Sequence, residues 1–321
     1  MKNTVNLCMK ITNDIIIQKA KEIGFDLIGF SKAEELNEEI LNLEKWLSRD
    51  FHAGMNYMKK NVLKRKDVSQ ILPNARSVIS LAKNYYVDKK HPVNKGFGKI
   101  SRYAWGVDYH LIILDMLYLL ENELKKIDPG IESKSYVDTG PVMDKAWAVK
   151  SGIGWLGKNS NIINKGYGSW IFLATIITNY EFDYFKPIPD FCGTCTACID
   201  ACPTKAIVDD YVVDANKCIS YLTIENKGEI SQDFKNTFDN WIFGCDICQD
   251  VCPWNLKFSE LTKQKEFFPI NGNDEIELNN VINMSEEEFK NRFDRSPVKR
   301  AKLNGLKRNA EFLINDGNSR K

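Results

Sequence analysis

"CGTCTACIDACPTKAI", residues 192–207, places Cys192, Cys195, Cys198 and Cys202 in one short run and follows the last with Pro203. The spacing C-x2-C-x2-C-x3-C-P is that of bacterial ferredoxins, in which three thiolates hold one 4Fe–4S cluster and the fourth ligates its neighbour. A second cluster needs a second run, and Cys245, Cys248 and Cys252-Pro253 supply it. Aligning the runs on their prolines puts Ile242 where a first cysteine belongs, and Cys218 is the unused cysteine nearby. By elimination, Cys192, Cys195, Cys198 and Cys252 form one ligand set, and Cys202, Cys218, Cys245 and Cys248 the other. Small residues between the thiolates leave backbone amides free to bond the sulfurs of soft iron centres. Two structural zinc tetrads are the rival use of eight cysteines, and the repeated C-P ending after three residues favours clusters. Disulfides suit neither the spacing nor a chain that opens without an export signal. Cys8, alone near the N-terminus, is left over.

The rest of the chain describes an ordinary globular protein. Its 321 residues, 43% apolar and 27% charged, suffice for two domains or for one large domain with appendages. No apolar run approaches the roughly 20 residues of a membrane span. The opening "MKNTVNLCMKITNDIIIQKAKEIGF" has neither a signal-peptide pattern nor a twin arginine, so a cytoplasmic protein is expected. The net charge of +1 conceals a basic stretch, Lys290 to Arg308, with eight basic residues against Asp294 alone. Such a stretch serves a polyanion or is a solvated helix face.

Helix and strand patterns alternate irregularly from the N-terminus, which predicts an α+β domain over residues 1–185. "NDIIIQKAKEIGF" reads as a helix capped near Asn13 or Asp14 and ended by Gly24. "LEKWLSRDFHAGMNYMKK" has helical spacing around Trp46, Leu47, Met55 and Met58, and "DYHLIILDMLYLLENELKKI" is a strongly apolar helix. "DLIGFSKA", "SVISLAKNYY" and "SWIFLATIITNY" read as strands. The prolines of "KPIPDFCG" mark a boundary to a ferredoxin-like module over 186–262, and 263–321 reads as a basic helical segment.

A search for what the clusters serve excludes the common nucleotide sites. "GIGWLG", residues 152–157, is G-x-G-x-x-G by letter but follows a helix, and no Walker motif is present. In "VDTGPVMDK", Asp138 or Thr139 caps a helix opened by Pro141, or Asp138 is a proton donor at a strand end. In "GKNSNIINKGYGSW", Lys158, Asn159 and Ser169 line a pocket or form a plain turn. Ser220, Tyr221 and Thr223 follow Cys218 and either face a neighbouring cofactor or pack around the cluster.

"VDTGPVMDKAWAVKSGIGWLGKNS", "YGSWIFLATI", "CISYLTIENKG", "GCDICQDVCPWN" and "ISRYAWGVDYH", with the run at Cys192, resemble the epoxyqueuosine reductases over residues 10–310. The resemblance implies reduction of epoxyqueuosine in tRNA to queuosine, an oxidoreductase reaction in tRNA processing that uses cobalamin and two 4Fe–4S clusters. It implies that the N-terminal unit is a cobalamin-binding α/β domain of nitroreductase-like architecture, and that Asp138 is the general acid beside the cobalamin. Asp246, inside the second cysteine run, joins Lys158, Ser169, Ser220, Tyr221 and Thr223 as an expected cofactor contact. No histidine ligand to cobalt is expected, because "DYHLII" from Asp108 matches only the first half of a DxHxxG pattern. Family members often continue into HEAT-like repeats, of which "VKRAKLNGLKRNAEFLINDGN" resembles one helix. The implied partners are tRNA and an external low-potential electron donor, with a monomer expected and no membrane. A reductive-dehalogenase-like cobalamin enzyme and a non-catalytic electron carrier are the rival readings.

Overall fold

The computed structural model describes residues 10–317, and Cys8 lies outside them. Helix α1, Asn13–Ile23, opens at Thr12, whose hydroxyl accepts the N–H of Ile15, and closes at Gly24 with φ 118°. Glycine suits that left-handed position because a Cβ would crowd it. Strand β1, Leu27–Lys32, follows. Helix α2, Asn37–Ser48, then stops well short of Met58. Asp50 and Ala53 both take positive φ and break the expected helix. Tertiary contacts override the helical spacing here. Trp46 Nε1 donates to the Val213 carbonyl at 2.7 Å, and the Ala215 N–H reaches the Phe51 carbonyl at 2.9 Å. A tight turn at Asn56–Lys59 and the short helix α3, Val62–Lys66, complete this excursion.

Strands β2 (Ser77–Asn84) and β3 (Phe97–Ile100) precede the long helix α4, Tyr109–Ile127. Then come β4 (Ser133–Tyr136), α5 (Asp144–Lys150), β5 (Trp155–Leu156), β6 (Ile162–Ile163) and β7 (Ile171–Thr178). The main sheet has the order β1-β2-β7-β4, antiparallel throughout. All eight residues of β2 are buried, because both faces of the sheet are covered. Ile79 and Leu81 share a core with Ile16, Ala20, Ile113 and Leu117 of α1 and α4. On the other face Val78 meets Trp147 of α5, and Ala82 meets Ala148. Strand periodicity of two puts alternate residues of one strand into these two cores.

The cysteine-rich part adds α6 (Ala197–Asp200), β8 (Ile207–Asp209), β9 (Val212–Val213), α7 (Ile219–Ile224), β10 (Trp241–Phe243), α8 (Ile247–Asp250) and α9 (Pro253–Phe258). The chain continues through β11 (Glu275–Glu277), α10 (Leu278–Asn283), α11 (Glu286–Phe293) and α12 (Lys302–Gly317). A second sheet of order β10-β3-β11 joins β3 from the first third of the chain to β10 and β11 from the last. Ile242, which stands in place of a cysteine, is wholly buried in that sheet. Its core continues into Phe289, Phe293, Leu306, Ala310 and Leu313 of the C-terminal helices.

Those helices are not a free basic tail. Arg308 donates to the carbonyls of Leu222, Asn226 and Gly228, and Asn309 donates to those of Thr223 and Ile242. Arg292 likewise reaches the Gly272 carbonyl at 3.0 Å. Two of the eight cations in that stretch are therefore structural. Among the described residues no helix is long and apolar enough to cross a membrane.

Candidate functional site

The cysteines fall into two neighbouring groups. Burial pushes the Cys198 thiol up to about 11, and the charges of Cys192, Cys252 and Cys195 add to it. Burial also raises Cys248, with Cys218 its strongest thiol neighbour, followed by Cys198 and then, after Asp246, Cys202. Cys245 is raised by burial and by Cys248 and Cys218. Cys198 thus lies in electrostatic reach of Cys192, Cys195 and Cys252, and Cys248 in reach of Cys218, Cys198 and Cys202. All eight are free thiols. Among the described residues no three His, Cys, Asp or Glu side chains converge closely enough to hold a single metal ion.

Asp138 lies between β4 and α5, where it is part of neither. Its φ is 60°, and the Thr139 N–H closes a three-residue turn onto the Val137 carbonyl at 2.6 Å. Helix α5 starts only at Asp144, with no side-chain cap, so neither Asp138 nor Thr139 caps it. The capping alternative therefore fails. The turn leaves the Asp138 side chain 60% exposed.

Two residues from the start of α4 face this carboxylate. The Tyr109 hydroxyl donates to Asp138 Oδ2, and His110 Nε2 stands 3.7 Å from the same oxygen. His110 is held from behind, because Asp108 Oδ1 lies 2.8 Å from its Nδ1 and also accepts its backbone N–H. His110 Nε2 is buried without a hydrogen-bond partner, which leaves it turned toward Asp138. Burial and then the Asp138 charge raise Tyr109, so this phenol remains a donor.

Asp144 and Lys145 stand beside this group. Burial lifts Asp144 to about 7, with the Asp138 charge adding and a Thr175 hydrogen bond opposing. Lys145 is solvent-accessible, donates to the Ser160 carbonyl at 2.7 Å, and lies within electrostatic reach of Asp138, Cys248 and Cys218. Lys145 therefore links the Asp138 turn electrostatically to the second thiol group. Tyr103 and Tyr57 lie in electrostatic reach of Asp138, and Arg65 in reach of Asp144. Sequence reading missed Tyr109, His110, Asp144 and Lys145. The signal was present in "DYHLII", which was read only as a helix start and an incomplete cobalt motif.

The other expected contacts lie elsewhere or are fully engaged. Thr223 is completely buried, and its hydroxyl donates to the Ile219 carbonyl while accepting the Gly244 N–H. That is packing, and it corrects the cofactor-facing expectation. Ser169 is held by Asn255 and Gln249, which ties β7 to the second cysteine run. Asp246 is wholly buried and takes Ser101, the Arg102 N–H and guanidinium, and His91. Burial alone would raise that carboxyl, but His91, Arg102 and Ser101 hold it below its usual range. Asp246 is thus the lock between β3 and the second run, with no face left for a cofactor. Lys158 pairs with Asp210 at 3.1 Å beside Cys192. The Ser220 and Tyr221 N–H groups turn toward the Cys218 sulfur, and the Tyr221 hydroxyl accepts the Gly54 N–H at 2.8 Å.

An antiparallel α+β domain fused to a paired-cluster module defines an iron–sulfur oxidoreductase. A family model described as "4Fe-4S double cluster binding domain" matches residues 191–255, and one described as "Epoxyqueuosine reductase QueG" matches residues 65–139. An epoxyqueuosine reductase of Leadbetterella byssophila is 48% identical over 295 residues, 92% of this chain and 95% of that one. One of Cellulophaga algicola is 46% identical over 94% of this chain and 97% of its own. The chain belongs to the epoxyqueuosine reductase family. A crystal structure of epoxyqueuosine reductase with an epoxyqueuosine-modified tRNA stem loop matches with a TM-score of 0.88 at 34% identity, over 94% of this chain and 80% of that one. The Bacillus subtilis enzyme, with its catalytic aspartate loop swung out of the active site, matches with a TM-score of 0.87 at 33% identity, over 94% and 80% of the two chains.

Proposed function

We propose that this chain reduces epoxyqueuosine to queuosine in the anticodon of tRNA, with Asp138 as proton donor. The observation that carries the reading is the Asp138 turn itself. A partly exposed carboxylate, backed by Tyr109 and His110, shares with the second thiol group the electrostatic reach of Lys145. The donor sets suit the cofactors. Eight thiols in two groups of four fit two 4Fe–4S clusters, with Cys192, Cys195, Cys198 and Cys252 holding one and Cys202, Cys218, Cys245 and Cys248 the other. The aromatic and charged groups around Asp138 fit a large cofactor such as cobalamin, which Lys145 and Tyr103 would contact. Bound there, cobalamin supplies a low-potential metal centre that accepts electrons from the clusters.

The epoxide needs two electrons and two protons, and its oxygen leaves as water. Asp138 gives a proton to that oxygen as the carbon–oxygen bond breaks, so that no alkoxide is released. Tyr109 orients the carboxyl, and His110, fixed by Asp108, returns the proton. Residues 1–185 form the cobalamin-binding unit of nitroreductase type, 186–262 the cluster module, and 263–321 helices related to HEAT-like repeats. A cytoplasmic monomer fed by an external low-potential donor completes the reading.

The test is anaerobic protein with about eight irons per chain, supplied with cobalamin, a reductant and tRNA carrying epoxyqueuosine. Nucleoside mass spectrometry should show loss of one oxygen that depends on cobalamin and on Asp138. Intact epoxide with clusters and cobalamin bound would overturn the reading and turn attention to small-molecule acceptors.

A further inference from the structure

The stretch from His52 to Lys66 contains five basic residues, Lys59, Lys60, Lys64, Arg65 and Lys66, and no acid. Only the last two turn inward. Lys66 pairs with Glu35 at 2.9 Å, and the Arg65 Nε–H lies 3.4 Å from the Lys60 carbonyl, with Asp144 in electrostatic reach of its guanidinium. Lys59, Lys60 and Lys64 are exposed and make no ion pair among the described residues. They flank Tyr57 and Arg65 in the excursion that follows the positive-φ break at Asp50 and Ala53. Tyr57, in the same turn, is 44% exposed, and its hydroxyl is in electrostatic reach of Arg300, Asp138 and Arg65.

Arg295, Lys299 and Arg300 form a second basic group. They are anchored to the start of α4 and to α7. The Asp108 N–H donates to the Arg295 carbonyl, Lys299 pairs with Asp108 at 3.5 Å, and Arg300 pairs with Glu225. Lys299 and Arg300 keep about half their side-chain surface in solvent, at 47% and 48%. Tyr57, an exposed ring in electrostatic reach of both Arg65 and Arg300, thus joins two cationic flanks from distant parts of the chain. Phosphate contacts supply most of the affinity in such an arrangement, and base stacking on aromatic rings is how proteins hold splayed single-stranded RNA.

We infer that the Lys59–Lys60–Lys64 flank is a phosphate track for the RNA strand that enters the site, and that Tyr57 is the stacking platform for a base beside the one that reacts. The inference rests on the proposed tRNA substrate and extends it, since the C-terminal basic stretch alone was expected to do this work. Lys59 and Lys60 lie in the turn and Lys64 on α3, so their ammonium groups can follow a backbone without disturbing the core.

The probe is a fluorescently labelled anticodon stem loop carrying epoxyqueuosine, titrated into the cluster- and cobalamin-loaded full chain at several salt concentrations. The combined variant Lys59→Gln, Lys60→Gln and Lys64→Gln should bind at least about tenfold more weakly, and its log–log salt slope should be shallower by about 2. Its turnover at saturating RNA should match the parent, with KM raised. Tyr57→Ala should weaken binding by about tenfold with the salt slope unchanged, and Tyr57→Phe should restore it. Lys125→Gln with Lys126→Gln, at the far end of α4, should do nothing. A lysine triple with parental affinity and slope, at parental iron content, overturns the track, and Tyr57→Ala with parental affinity overturns the platform. Absence of RNA binding by the parent overturns both. A parent that binds this RNA in the expected salt-dependent way yet leaves the epoxide intact overturns the proposed reaction and leaves the track standing.

Discussion

Asp138 combines two features that a helix cap would not need, a left-handed backbone and a side chain in solvent. Aspartate and asparagine are the non-glycine residues that tolerate that backbone best. Asp138→Asn should therefore fold with parental melting temperature, iron content and cobalamin content, while single-turnover epoxide reduction falls by about 10²–10⁴-fold. Parental rates would remove Asp138 from the chemistry. Asp144 offers a second, independent readout. Its ordinary pKa of 3.8 rises to about 7 in the fold, chiefly through burial, with Asp138 adding. Between those values the folded chain keeps a proton that the unfolded chain has lost, so the group stabilises the fold at low pH. That contribution is complete below about 4 and disappears as pH rises through about 7. Asp144→Asn should match the parent melting temperature near pH 4 and exceed it by a few degrees near pH 8, at about 2–4 °C per kcal/mol. An equal difference at both pH values would show that Asp144 stays ionised throughout.

At the scale of elements, β1 and α5 meet with no room between them. A Cβ on Gly29 would sit 2.1 Å from the Ser151 carbonyl oxygen at the end of α5. That atom is backbone and cannot swing aside, so the strand and helix must part. Gly29→Ala should cost about 1–3 kcal/mol, seen as a lowered denaturant midpoint with an unchanged slope. Because α5 begins with Asp144 and Lys145, the same change should also slow epoxide reduction; a variant as stable and active as the parent would place slack in this contact. Glycine in a strand interior was visible in "DLIGFSKA", but its neighbour 122 residues later in the chain was not.

For the whole molecule, Asp246 joins parts of the chain that sequence reading kept apart. It binds Ser101 and Arg102 after β3, and His91 before it, to the second cysteine run. Arg102 also reaches Asp250 at 2.7 Å, which strengthens the same junction. Replacing a buried, fully partnered carboxylate leaves its cations uncompensated. Asp246→Ala should lower stability by about 3–5 kcal/mol and release iron from the group containing Cys245 and Cys248 on mild heating. Unchanged thermal stability and iron retention would mean that the β10-β3-β11 sheet alone holds the junction.

Cysteine spacing by itself determined the paired-cluster module, because iron imposes its ligand intervals on the local sequence and little else produces the two C-P runs. Long apolar periods likewise made α1, α4, β2 and β7 legible, since their burial follows from pattern alone. The break of α2 at Arg49, the packing of Arg308 onto carbonyls, and the engagement of Thr223, Ser169 and Asp246 were decided by tertiary contacts. Each of these depends on partners more than 20 residues away or on which face of an element meets another, and local spacing carries no record of either. The same holds for the site. Asp138 was legible as a polar residue after a strand, but its company of Tyr109 and His110 exists only because α4 starts where the β4–α5 turn ends.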